Sequence, residues 1–237
     1  MKKTVLILHG WKIGMTGQRY NEIKTLLEQE GFTVFSPDLP GFGIQELIKN
    51  RMTLDDYVSF VKSYLDEKKT GKVILIGHSF GGRIAAKFSY LHPDRIEKLI
   101  LTGSPLIKKP FSPKQRLANY MAKYGKTAMA IFPSSISQIP RKILYRAIGE
   151  NDYYESGNLR ETFKAIIGED LAPILSSIKI PTLLIWGDND SFVPVSIGKE
   201  IARKIKHAKL VIIPDTGHKL PYEEPMKFVR AIMSFIS

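Results

Sequence analysis

A serine set between two glycines, Gly77-His78-Ser79-Phe80-Gly81, is the feature of this chain best suited to nucleophilic chemistry. It lies between the apolar run Val73-Ile74-Leu75-Ile76 and the Ala-rich stretch Arg83-Ile84-Ala85-Ala86. That setting predicts a strand, a sharp turn and a helix, with the serine hydroxyl lifted above the edge of a sheet. Side chains at 77 or 81 would strike the neighbouring strand or helix, so the flanking glycines fit the same geometry. The G-x-S-x-G pattern alone arises by chance about once in a dozen chains of this size, so its strand–turn–helix context is what singles out Ser79. Ser59-x-x-Lys62 and Lys69-Thr70-Gly71 mimic β-lactamase signatures, but they lie too close together and lack the S-D-N element.

A serine hydroxyl needs a base, and there are five histidines to choose from. His78 adjoins the serine, so its ring is expected to point away from Oγ. His9 ends the first apolar run and is expected to organise a loop. His92 sits at a helix end, and His207 precedes the last strand candidate. His218, in Asp215-Thr216-Gly217-His218, follows that last candidate directly. In an open α/β sheet the working groups collect at the carboxyl ends of strands, and His218 has that address. The base in turn needs an acid to hold its tautomer and stabilise the imidazolium. Trp186-Gly187-Asp188-Asn189-Asp190 offers two carboxylates. Asp190, further into the loop, is favoured as the partner of His218, and Asp188 is expected to bind the turn. An oxyanion hole would draw on the backbone N–H groups of Phe80 and, in the loop His9-Gly10-Trp11, of Trp11.

The elements that must position these groups are visible as alternating β-rich and amphipathic stretches, the pattern of βαβ units around a parallel sheet. Strands are predicted over Thr4–Leu8, Thr33–Ser36, Lys72–Ile76, Leu99–Thr102, Thr182–Trp186 and Lys209–Ile213. Several are unbroken aliphatic runs, as expected for strands covered by helices on both faces. Helices are predicted at about 18–30, 54–67, 80–91, 197–205 and 221–235, the last opening on Pro221 with Glu223 and Glu224 in its first turn. The alternation breaks once, between Thr102 and Pro181, where a connection of this size implies an insertion with structure of its own.

Composition sets outer limits. The 237 residues, 43% apolar and 24% charged, suit one large globular domain. No cysteine is present, which removes disulfides, thiolate metal sites and a cysteine nucleophile. The opening Met1-Lys2-Lys3 and its short apolar run read as a first strand, not a signal peptide, and no stretch approaches the roughly 20 apolar residues of a membrane span. A cytoplasmic protein is the expectation. The net charge is +12, and nine basic residues with no Asp or Glu fall between Ser104 and Gly149: Lys108, Lys109, Lys114, Arg116, Lys123, Lys126, Arg141, Lys142 and Arg146. No nucleic-acid-binding motif accompanies them, so a solvated basic surface or attraction to an anionic substrate is expected in place of nucleic-acid binding.

Taken together, the chain resembles the bacterial α/β-hydrolase superfamily of esterases, lipases and related carbon–carbon bond hydrolases. The resemblance rests on Leu8-His9-Gly10-Trp11, Pro37-Asp38-Leu39-Pro40-Gly41-Phe42-Gly43, Gly77-His78-Ser79-Phe80-Gly81-Gly82, Trp186-Gly187-Asp188-Asn189-Asp190 and Gly217-His218, with Glu223 and Pro225 beyond. It covers about two thirds of the chain, on both flanks of the insertion. It implies an α/β-hydrolase fold of about six mostly parallel strands flanked by helices, because the chain opens at the family's third strand. The core would span 1–103 and 174–237, with 104–173 as an inserted helical cap carrying Tyr120, Met121, Met129 and Phe132. It further implies Ser79 as nucleophile, Asp190 as acid, His218 as base and the Trp11 and Phe80 amides as oxyanion donors, with no metal or cofactor. Serine in place of an aspartate nucleophile argues against haloalkane dehalogenase and epoxide hydrolase activity. The implied reaction is hydrolysis of a small-molecule carboxylic ester or thioester, with carbon–carbon hydrolysis by the same triad as the alternative. The basic stretch is compatible with an acidic substrate or one delivered by an acidic carrier protein, as in pimeloyl-ester esterases, to which the His-Gly-Trp opening is similar. A non-catalytic receptor on the same scaffold is disfavoured, since no triad residue is missing.

Overall fold

The computed structural model of the protein describes residues 2–12, 14–108 and 159–237. Its centre is a six-stranded sheet in the order β2-β1-β3-β4-β5-β6, in which every neighbouring pair runs parallel. The strands are β1 Thr4–Leu8, β2 Thr33–Phe35, β3 Val73–His78, β4 Ile96–Thr102, β5 Thr182–Gly187 and β6 Lys209–Ile213. Parallel strands must be joined by crossovers, and the helices that serve as crossovers cover the two faces. Strand side chains therefore alternate between two apolar layers. Leu6, Leu8, Leu75, Leu99, Leu101, Leu184 and Trp186 belong to one. Val5, Ile7, Ile74, Ile76, Ile100, Leu183 and Ile185 belong to the other.

Helices α2 Leu54–Glu67, α3 Phe80–Leu91 and α6 Val195–Lys204 pack on the first layer, with α4 Arg160–Gly168 and α5 Ala172–Leu175 beside them. Helices α1 Asn21–Gln29 and α8 Pro225–Ile236 pack on the second, preceded by the short turn α7 Leu220–Glu223. Helix α2 starts on a reciprocal cap, in which Thr53 accepts from the Asp56 amide and Asp56 accepts from the Thr53 amide. Among the described residues no helix is long and apolar enough to cross a membrane.

Two expected helices differ in detail. The first begins as a single 3-10 turn, Gly17–Tyr20, before α1. The last is broken in two at Glu224, whose φ of −133° and ψ of 54° are not helical. Pro225 is the cause: its ring disfavours the α conformation in the residue before it, so the main helix starts at the second proline, not at Pro221. The insertion between β4 and β5 falls largely on residues 109–158, outside the described residues. The basic side chains from Lys109 to Arg146, and Tyr120, Met121, Met129 and Phe132, lie there as well.

Candidate active site

The chain runs outward from β1 to β2 at one side and then returns past β1 to β3. This reversal opens a crevice at the carboxyl ends of β1 and β3, the place where open α/β sheets bind ligands. Ser79 stands there, between the last residue of β3 and the first of α3. Its φ of 52° and ψ of −112° are strained for a side chain with a Cβ, and the Ser79 amide donates to the Thr102 carbonyl at 2.9 Å. The strain is sustained by close packing. A methyl at Gly77 would come within 2.6 Å of the Gly81 carbonyl oxygen, and one at Gly81 would collide with the Leu8 carbonyl. Strand β3, the turn and α3 can approach this closely only with glycine at both positions.

Ser79, His218 and Asp190 meet in one hydrogen-bonded line. Ser79 Oγ lies 3.1 Å from His218 Nε2, and His218 Nδ1 lies 2.9 Å from Asp190 Oδ2. Each residue arrives on a different strand end: β3, the β6 loop and the β5 loop. Asp190 is itself fixed, because its Oδ1 accepts from the Phe192 and Val193 amides at 2.9 and 2.8 Å. The indole Nε1–H of Trp186, buried at the end of β5, donates to the Val193 carbonyl at 2.7 Å and anchors the same loop. Asp188 takes the other role assigned to it, accepting from the Thr216 amide at 3.3 Å and so bracing the loop that carries His218. A methyl at Gly103, after β4, would lie 2.9 Å from His218 Nδ1 and 3.2 Å from Asp190 Oδ2, so this glycine leaves room for the pair.

The loop after β1 reaches the same place. A methyl at Gly10 would lie 3.3 Å from Ser79 Cβ, so the main chain before Trp11 passes directly over the serine. Among the described residues neither the Trp11 nor the Phe80 amide donates a hydrogen bond. His9, fully buried, pins this loop: Nε2 accepts from the Leu39 amide at 3.0 Å, leaving Nδ1–H to donate to the Gly10 carbonyl at 2.8 Å. Burial pulls its pKa down and favours the neutral ring that this pattern requires. Asp38 holds the facing loop by accepting from the Gly17 and Ile44 amides. Trp11, Phe42, Phe80 and Phe163 form an aromatic wall with neighbouring ring centroids 5.0 to 6.1 Å apart. On the other side Phe192, 66% exposed, lies 5.1 Å from the His218 ring.

Residue reading missed three supports. His78 and Tyr20 form a buried pair behind His218, described below. Arg83 lies in α3, where its guanidinium donates to the carbonyls of Pro105, Ile166 and Glu169, and burial draws its pKa down to about 10. A lone arginine in the apolar stretch Gly82-Arg83-Ile84-Ala85-Ala86 was the signal available for it.

With this geometry established, similarity to known proteins becomes informative. A family model described as "Serine aminopeptidase, S33" matches residues 1–225. A 2-hydroxy-6-oxononadienedioate/2-hydroxy-6-oxononatrienedioate hydrolase of Klebsiella pneumoniae is 29% identical over an alignment of 254 residues, covering 100% of this chain and 88% of the relative. Among solved structures, a thermophilic esterase from Thermogutta terrifontis matches with a TM-score of 0.72 at 25% identity, covering 99% of this chain and 89% of that one. An esterase from Exiguobacterium antarcticum matches with a TM-score of 0.75 at 21% identity, covering 98% and 91%, a likeness of fold. The carboxyl-edge site on a six-stranded parallel sheet and the match over nearly the whole chain agree: this chain belongs to the serine aminopeptidase, S33 family of α/β-hydrolases.

Proposed function

We propose that the protein is a serine hydrolase that cleaves a carboxylic ester or thioester through an acyl-enzyme. The observation that carries this reading is the line Ser79 Oγ, His218 Nε2, His218 Nδ1, Asp190 Oδ2, with contacts of 3.1 and 2.9 Å. His218 removes the Ser79 proton as Oγ attacks the carbonyl carbon, and Asp190 stabilises the imidazolium that forms. The Trp11 and Phe80 amides hold the oxyanion, and their freedom from other acceptors among the described residues suits them to it. The imidazolium then protonates the leaving group. Water, deprotonated by the same ring, releases the acid and restores Ser79. Every proton moves through residues of this chain, so the cycle calls for no metal or cofactor.

The aromatic wall suits an apolar acyl or alcohol group beside the serine. We assign residues 104–173 to a cap over this wall, with 1–103 and 174–237 as the core. Substitution Ser79→Ala is expected to abolish hydrolysis of short p-nitrophenyl esters and labelling by a fluorophosphonate. Undiminished turnover by that variant overturns the assignment.

A second reading is favoured by one observation, the 29% identity to a dienedioate hydrolase. A carbon–carbon hydrolase would use the same three side chains on a vinylogous diketone. Turnover of such a substrate well above that of simple esters would favour it, and the reverse ratio would favour the esterase reading.

A further inference from the structure

We propose that His78 and Tyr20 are positioning residues for His218, joined in a one-directional hydrogen-bond chain that holds the main chain of residue 218 against the turn bearing Ser79. The inference rests on the acyl-transfer reading and deepens it. His78 Nε2 lies 2.8 Å from the His218 carbonyl oxygen, and His78 Nδ1 lies 2.7 Å from the Tyr20 hydroxyl. A carbonyl only accepts, so Nε2 carries the proton and donates. Nδ1 is then bare, and the Tyr20 hydroxyl must donate to it. The direction is fixed from end to end: Tyr20 O–H to His78 Nδ1, then His78 Nε2–H to the carbonyl of His218.

The pair is enclosed. Tyr20 and His78 are 1% and 2% exposed, and Tyr222 presses an edge against both, with centroids 5.8 Å from each. The titratable and charged groups around His78 are Tyr20, Tyr222, His9, His218 and, over the Tyr222 ring, Arg19. Burial first, and the neighbouring His218 second, push the His78 pKa down to about 3. The ring is therefore neutral throughout the pH range in which an enzyme of this kind works.

Neutrality matters because the two imidazole centroids are 5.0 Å apart. A protonated His78 would oppose the charge that His218 gains each time it takes the Ser79 proton. A neutral Nε2–H donor avoids that and still fixes the loop. The loop has other ties, from Thr216 to Asp188 and from Asn189 to Thr216, but these lie two residues before the base. Among the described residues no backbone amide donates to the carbonyl of 218. Among the described residues it is the His78 side chain that holds the carbonyl of the base itself. It also sits under the oxyanion loop, since a methyl at Gly10 would lie 3.1 Å from His78 Nδ1.

The test compares wild type with His78→Leu, His78→Gln and Tyr20→Phe, using p-nitrophenyl ester kinetics, fluorophosphonate labelling and nitrogen-15 NMR of labelled histidine. Because a base displaced by about 1 Å costs up to 100-fold, His78→Leu is expected to lose about 30-fold in kcat with KM within about twofold. His78→Gln restores a donor near the Nε2 position and is expected to recover to within about threefold of wild type. Tyr20→Phe keeps the ring packing, guards against a His78 variant that does not fold, and is expected to keep the Nε2–H tautomer, which the His218 carbonyl fixes, while lowering kcat. Wild-type kcat in His78→Leu, equal losses in the Gln and Leu variants, or an Nδ1–H tautomer in the wild type overturns the proposal. Failure of the acyl-transfer reading looks different: wild-type protein then ignores esters and fluorophosphonate while the tautomer stays as stated.

Discussion

At Asp190 one carboxylate does two jobs with two oxygens. Oδ1 takes two backbone amides of its own loop and Oδ2 faces His218, so the side chain is locked before any substrate arrives. Replacing it with asparagine keeps an oxygen for the loop but removes the charge that, in the proposed cycle, steadies the imidazolium. Asp190→Asn is expected to fold with an unchanged circular dichroism spectrum while kcat on an ester falls about a thousandfold or more. Retention of more than a tenth of the wild-type rate would mean that another acid serves the base. His78 makes a second prediction, about stability. Its folded pKa of about 3 lies below the ordinary 6.5 of an unfolded histidine. Between those values the unfolded chain binds the proton that the folded chain refuses, so stability is complete above about pH 6.5 and falls as the pH drops toward 3. The loss from this one group is about 2 kcal/mol at pH 5. His9 is shifted in the same direction and adds to it. Chemical denaturation at pH 7 and pH 5 should show the decline, and it should be shallower in His78→Gln. A midpoint independent of pH over that interval would contradict the buried neutral ring.

At the scale of elements, Arg83 is the tie between the helix behind Ser79 and both ends of the connection from β4 to β5. Pro105 lies near the start of that connection, Ile166 and Glu169 lie near its end, and one guanidinium donates to all three carbonyls. Lys87, one turn on, adds ion pairs of 2.8 and 2.7 Å to Asp55 and Glu169. Arg83→Met fills the same space without donors and takes a partner from all three carbonyls, which costs about 3 kcal/mol. A fall in the urea midpoint with a rise in KM for bulky esters is expected, and an unmoved midpoint would show the tie to be idle. What was legible in the residues follows from the same physics. Aliphatic runs buried on both faces mark the four inner strands strongly, and the β-branched and aromatic residues of the edge strands β2 and β6 mark those two, so all six were found in place. Their ends were less visible: β3 runs on through Gly77 and His78, which pair with Leu101 and Thr102 although neither residue type favours strands. Strand β4 starts at Ile96, through the charged Glu97 and Lys98, which a polarity pattern assigns to a loop. The Ser79, Asp190 and His218 addresses were legible because a parallel sheet sends every strand's carboxyl end to one edge. The Tyr20–His78 link was not. It joins residues 58 apart through side-chain reach alone, and no periodicity records that.

For the whole molecule the charge distribution is the feature that bears on substrate. Nine of the twelve net positive charges fall between Ser104 and Gly149, on residues that, apart from Lys108, lie outside the described ones. The stems of that connection leave β4 and enter β5 beside the site, with Gly103 against the His218–Asp190 pair. If that basic stretch faces the site, it would raise the local concentration of anionic substrates and speed their encounter, and salt would screen it. At 0.01 M ionic strength the screening length is about 30 Å, comparable to the size of the domain, and at 0.15 M it is about 8 Å. For a carboxylate-bearing ester, or one carried by an acidic protein, kcat/KM is expected to fall severalfold or more over that range. For a neutral ester of the same acyl length it should stay nearly flat. The pairing of the two substrates is essential, because salt also alters stability and apolar binding, and those effects act on both. Charge reversal of Lys114, Arg116, Lys123 and Lys126 to glutamate should lower kcat/KM for the anionic ester at low salt and leave the neutral one in place. Equal salt dependence for the two esters would show that the basic segment is a solvated surface with no part in choosing the substrate.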